Sequence, residues 1–78
     1  MTDGQTFGQR RVRVDFNPSG DLQVRGFKEE QADFIDDCER SKNEAPDPEA
    51  KRLWALAQTA AEEAAMWATK AATYEGGK

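Results

Sequence analysis

A chain of 78 residues with 33% charged and 37% hydrophobic residues forms at most one small domain. A domain of this size buries only about 60% of the surface its unfolded chain exposes, so it usually needs a disulfide, a metal or a partner. One cysteine, Cys38, and no histidine exclude a disulfide framework and a Cys/His zinc site. Oligomerisation is the expected support.

The net charge of −4 argues against a generic binder of long nucleic acid, yet it hides a segregation. Residues 1–28 carry five basic and three acidic groups, residues 29–49 two and nine, and residues 50–78 four and three. No apolar run approaches the ~18 residues of a membrane span, and the N-terminus lacks a signal-peptide core. A cytoplasmic location without membrane contact is expected.

Residues 1–9 are polar and glycine-containing and read as a flexible tail, leaving 10–78 as a single domain. Over 10–16, Val12, Val14 and Phe16 alternate with Arg11, Arg13 and Asp15, the period of a half-buried β-strand. Its pairing partner is not evident in the chain, so a second copy is the expected source. Asn17-Pro18-Ser19-Gly20 has the residue order of a type I turn.

The period then turns helical over 21–42, with Asp21 as N-cap and Val24, Phe27, Gln31, Phe34, Ile35 and Cys38 on one stripe. Glu29, Glu30, Asp33, Asp36, Asp37 and Glu39 are assigned to a solvated face. Gly26, unfavourable inside a helix, suggests either close helix packing or backbone approach to a ligand. A polar connection leads to a second helix over 48–74, opened by Asp47-Pro48 and stopped by Gly76-Gly77. Leu53, Leu56, Ala60, Ala64, Trp67, Ala71 and Tyr74 form one stripe of it, and Trp54, Ala57, Ala61, Ala65 and Ala68 another. One helix cannot cover both stripes. The fold expected is mainly α, an antiparallel helical hairpin preceded by one short strand, with an oligomeric core.

Material for catalysis is thin. There is no histidine base, and the carboxylate pairs Glu29/Glu30, Asp36/Asp37 and Glu62/Glu63 diverge by about 100° on a helix. Cys38 lies on the apolar stripe and reads as a core residue. No enzymatic activity, metal or cofactor is expected. Anion binding is better supplied: Arg11 and Arg13 precede the turn, and Arg25 and Lys28 follow it in the first turns of the helix. The plainer reading is that these cations balance the acidic face, as Arg25 and Glu29 would at i,i+4.

Two stretches carry a family resemblance. Phe16-Asn17-Pro18-Ser19-Gly20, then Val24, Phe27-Lys28, Ala32 and Phe34-Ile35-Asp36, resemble the opening of the phage anti-CBASS and Thoeris anti-defence sponge proteins. Trp54-Ala55-Leu56-Ala57-Gln58-Thr59, continuing through Ala65-Met66-Trp67 to Lys70-Ala71, is similar to that family's second helix. The resemblance implies a non-enzymatic phage protein, in the cytoplasm of an infected bacterium, that sequesters a cyclic di- or trinucleotide or a cyclic ADP-ribose isomer. It also implies a homodimer or homohexamer with ligands between protomers. Position by position it assigns ligand contact to Asn17, Lys28, Thr59 and Lys70. Gln58 stands where the family pattern has arginine, and Ala64-Ala65 where it has a small residue and an aromatic. Base stacking then falls to Trp67 or Phe16, although tryptophans at such spacing are more often core residues.

The combined expectation is a site in which Arg11, Arg13, Asn17, Arg25 and Lys28 face phosphates, while Gln58, Thr59 and Lys70 hydrogen-bond the ligand across an interface. Two other readings stand beside it. One is an acidic inhibitor whose first long helix occupies a basic protein site. The other is an oligomerisation module without ligand.

Overall fold

A computed structural model describes residues 4–18 and 20–75. They form three helices, α1 (Phe7–Val12), α2 (Leu22–Glu44) and α3 (Pro48–Ala72).

The strand expected over 10–16 is not formed, and no strand occurs among the described residues. Its first half is helix. Thr6 Oγ1 accepts from Gln9 N–H (3.1 Å) and Gln9 Oε1 accepts from Thr6 N–H (2.9 Å), which is a capping box at the start of α1. The helix ends in a Schellman motif, with Arg13 N–H on the Arg10 carbonyl (3.2 Å) and Val14 N–H on the Gln9 carbonyl (3.0 Å). Arg13 takes the left-handed conformation there (φ 56°, ψ 58°). This reversal explains the misleading alternation. Val12 on the helix and Val14 beyond the reversal both reach the core, so a period of two arises without an extended chain. The tail reading of 1–9 is likewise corrected at its C-terminal end, where Phe7 begins α1; residues 1–3 lie outside the described residues.

A six-residue helix is too short to persist alone, so docking must hold α1. Val12 and Val14 join Ala32, Ile35, Ala61 and Ala65 in one cluster, with Phe7 packed on it. Close approach is possible because residue 8 is glycine: a Cβ there would lie 2.1 Å from the Ala32 carbonyl oxygen. Gly26, by contrast, is exposed, and a Cβ there would meet nothing within 4 Å, so the close packing suggested for it is absent.

Gly20 N–H bonds the Asn17 carbonyl (3.0 Å), closing the turn before α2; Ser19 lies outside the described residues. Asp21 Oδ1 then accepts from Gln23 and Val24 N–H (2.7 and 3.2 Å), and Asp47 Oδ1 accepts from Ala50 N–H (2.8 Å) with Pro48 in the first turn of α3. Between these caps, Ala45-Pro46 interrupts the helix because the residue before proline avoids the helical region.

Helices α2 and α3 pair antiparallel. Lys51 Nζ reaches the Lys42 carbonyl (3.0 Å), Gln58 reaches that of Ile35 (3.2 Å), and Val24 and Lys28 share a cleft with Thr69 and Thr73. Of the two α3 stripes, Ala61 and Ala65 of the second are buried against α1 and α2. The first stripe is exposed throughout, Leu56 by 51% and Trp67 by 59%. Gly76 and Gly77, read as the helix stop, lie outside the described residues.

Candidate functional site

Where α1 ends, the chain passes over the N-terminal half of α2 and meets the C-terminal end of α3. Phe16, Asn17, Pro18, Val24, Lys28, Thr69 and Thr73 line a cleft of about 290 Å³ there. Lys28 is 7% exposed, and its ammonium donates to the carbonyls of Arg13 (3.1 Å) and Phe16. Burial, followed by the Arg13 charge, lowers its pKa. Two of the three ammonium hydrogens therefore fix the loop.

The Arg13 guanidinium lies 4.4 Å from the centre of the Phe16 ring, and Lys28 Nζ lies 5.6 Å from it. Asn17 Nδ2 donates to the Asp21 carbonyl (2.8 Å), holding the turn against the start of α2. The cleft thus combines an exposed aromatic ring, one cation, an amide and two threonines, with the Arg13 guanidinium against the Phe16 ring beside it. Thr69 and Thr73 each donate a hydroxyl to the α3 carbonyl four residues earlier (2.8 Å), leaving oxygen lone pairs as acceptors.

Other residues expected in the site go elsewhere. Arg11 bonds Glu62 Oε1 on α3 (2.7 Å) and sits 6.0 Å from the Phe7 ring. Arg25 spans Asp15 (3.3 Å) and Glu29 (3.0 Å), the charge balance the plainer reading anticipates. Gln58 is buried inside the hairpin, donating to the Ile35 carbonyl and to Glu39 Oε1 (2.9 Å) and accepting from Lys42 (3.5 Å). The Gln58 bond first, and then the Lys42 ammonium 3.0 Å from Glu39 Oε1, hold the Glu39 carboxyl below its ordinary pKa. Glu39 therefore belongs to a bonded network rather than to the solvated face. Thr59 and Lys70 lie on the exposed side of α3. Thr59 borders a shallow concavity with Glu62, Glu63, Met66 and Trp67, and Lys70 Nζ stands 5.4 Å from the Trp67 ring. Cys38 is buried; burial and then the Asp37 charge raise its pKa, which keeps the thiol protonated and poorly nucleophilic.

The structure therefore brings Asn17 and Lys28 into the cleft and sets Arg13 beside it on the Phe16 ring. Arg11, Arg25 and Gln58 are engaged by groups of the chain itself, and Thr59 and Lys70 lie on the exposed side of α3. Sequence reasoning missed Thr69 and Thr73, although their i,i+4 spacing puts both on one face of α3. It also missed the Thr6-x-x-Gln9 capping box, a legible start signal.

These cleft residues lie within the region that a family model matches: the Acb2/Tad1 hairpin domain matches residues 9–73. The chain belongs to that family. The family comprises the anti-CBASS and anti-Thoeris sponges, phage anti-defence proteins that act on nucleotides. Its hairpin corresponds to α2 and α3, which the match spans together with most of α1. No curated protein and no solved structure matches the chain. No helix among the described residues is long and apolar enough to cross a membrane, and no group of His, Cys, Asp and Glu among them could hold a metal ion.

Proposed function

We propose that this chain is itself a sponge, binding a small cyclic nucleotide signal and holding it unchanged. The observation that carries the reading is the cleft in which Asn17, Lys28, Phe16, Thr69 and Thr73 meet, with the Arg13 guanidinium against its Phe16 wall, within a chain of the sponge family. Lys28 and Arg13 supply charge for phosphate, Phe16 a ring face for a base, and Asn17 with the threonines polar contacts for the sugar or base edge. Sequestration needs no bond to break, so affinity rests on complementarity and preorganisation. The bonds from Lys28 to the loop supply part of that preorganisation.

At about 290 Å³ the cleft is at the lower limit of small-molecule sites, and a cyclic di- or trinucleotide would project beyond it. A second copy is the natural source of the remaining contacts. The exposed α3 stripe, with Leu53, Leu56, Trp67 and Tyr74, supports self-association in a chain with so small a core. In such an assembly Thr59, Lys70 and Trp67 become available to ligand at an interface, whereas Gln58 supports the hairpin. The acidic-inhibitor reading is less favoured, because Arg25 and Arg40 partly neutralise that face through Glu29 and Asp37.

Calorimetry with cyclic dinucleotides, cyclic trinucleotides and cyclic ADP-ribose isomers tests the proposal. Micromolar or tighter binding of one class, with the ligand recovered intact after heat denaturation, is expected. Absence of binding by every class removes the reading, and a cleaved product replaces it with an enzyme.

A further inference from the structure

Asp36 belongs by sequence to the acidic run of α2, but the structure places it differently from Asp33 and Asp37. Its Oδ1 accepts a hydrogen bond from Gly8 N–H at 2.6 Å, a part-buried contact between α2 and the first turn of α1. The two residues meet where α1 lies closest to α2: an added Cβ at residue 8 would also fall 2.9 Å from Asp36 Oδ1. Asp33 is exposed, and Asp37 pairs with Arg40 on its own helix (2.6 Å).

The consequence reaches the cleft through the chain. Helix α1 ends at Val12, and the next residues, Arg13 to Phe16, supply both carbonyls that hold Lys28 and the ring that walls the cleft. The position of α1 therefore sets the position of Arg13, Phe16 and the Lys28 ammonium. Hydrophobic contacts of Val12 and Val14 favour docking but are not directional. A carboxylate hydrogen bond to a single backbone N–H fixes where along α2 the short helix sits.

We propose that Asp36 is a positioning residue: through Gly8 it fixes α1 on α2 and so holds the Arg13–Phe16 loop in its binding geometry. This inference rests on the binding reading for its functional part, while the docking of α1 can be measured without ligand. Asp36→Ala, Asp36→Asn and the control Asp33→Ala are compared with the unmodified protein in two measurements. Amide hydrogen exchange reports on Arg13, Val14 and Phe16, whose N–H groups are bonded in the docked form. Calorimetry with cyclic di-GMP, cyclic tri-AMP and cyclic ADP-ribose reports on the cleft.

Asp36→Ala is expected to speed exchange at those three amides about tenfold, with α2 and α3 protected, and to weaken whichever probe binds by about tenfold. Asp36→Asn should restore much of both, because its amide oxygen can still accept from Gly8. Asp33→Ala should change neither. Equal loss in the alanine and asparagine variants would overturn the proposal, because the bond to Gly8 would then not be what positions α1. Unchanged exchange in Asp36→Ala, loss of protection throughout α2 and α3 in both Asp36 variants, or faster loop exchange with undiminished affinity would each overturn the proposal. If no probe binds the unmodified protein, the sponge reading fails, and the exchange data alone decide whether Asp36 docks α1.

Discussion

One stripe of α3 packs Ala61 and Ala65 into the core, beside a Gln58 whose amide is bonded at both ends, while the neighbouring stripe leaves Leu56 and Trp67 more than half exposed. The Ala61/Ala65 stripe finds its central partners within a single chain, on α2 and α1, although its Trp54 stays 38% exposed. The Leu56/Trp67 stripe presents large apolar side chains to water, which a small protein does not tolerate well over a continuous face. On the proposed reading, the difference separates what holds one chain together from what would serve assembly. The core itself is thin: the Cα trace extends only 15 Å along its shortest axis.

A charge introduced on the exposed stripe breaks this comparison most forcefully. Leu56→Asp and Trp67→Asp should each dissociate the protein and lower its apparent stability by at least about 3 kcal/mol, since an interface would bury an unpaired carboxylate. Sedimentation combined with thermal unfolding measures both effects. Unchanged melting in both variants would show that the exposed stripe has no partner.

On the completed side, Gln58→Ala should cost about 1–2 kcal/mol by leaving the Ile35 carbonyl and Glu39 without their amide. It should also change the acid limb. The Glu39 pKa is lowered on folding, so its stabilisation is present above the unfolded value of about 4.3 and is lost as pH falls through the folded value. Urea unfolding between about pH 5 and pH 2 should therefore depend less steeply on pH in the variant than in the unmodified protein.

The smallest effects are expected at two positions where backbone preference is unmet. Gly26→Ala should stabilise by about 0.5–1 kcal/mol, because the added methyl meets nothing and the unfolded chain loses freedom. Arg13→Gly should stabilise by about 1 kcal/mol by relieving the left-handed arginine. It should nevertheless weaken nucleotide binding, since the guanidinium over Phe16 disappears. Denaturant titration and calorimetry on the same samples separate these opposing effects.

The two long helices were legible because their periodicity runs over many turns and their caps, Asp21 and Asp47-Pro48, are local signals. Helix α1 was not, because Val12 and Val14 imitate a strand across a left-handed reversal that no glycine announces. The Thr6–Gln9 box and Gly8 pointed to it, but a six-residue helix gains its stability from docking that periodicity does not reveal. In the candidate site, Lys28 and Asn17 were legible from the turn and the family pattern. Arg11 and Arg25 were placed there by charge alone, and charge alone does not distinguish a ligand contact from a bond to Glu62 or Asp15. Gln58 is buried in the hairpin, and a helical pattern does not distinguish a buried amide from an interfacial one.

Native mass spectrometry of the unmodified protein, with and without a cyclic nucleotide identified by calorimetry, tests the central claim most directly. The account predicts an oligomer that retains ligand of unchanged mass. A folded monomer that retains none under the same conditions would contradict it.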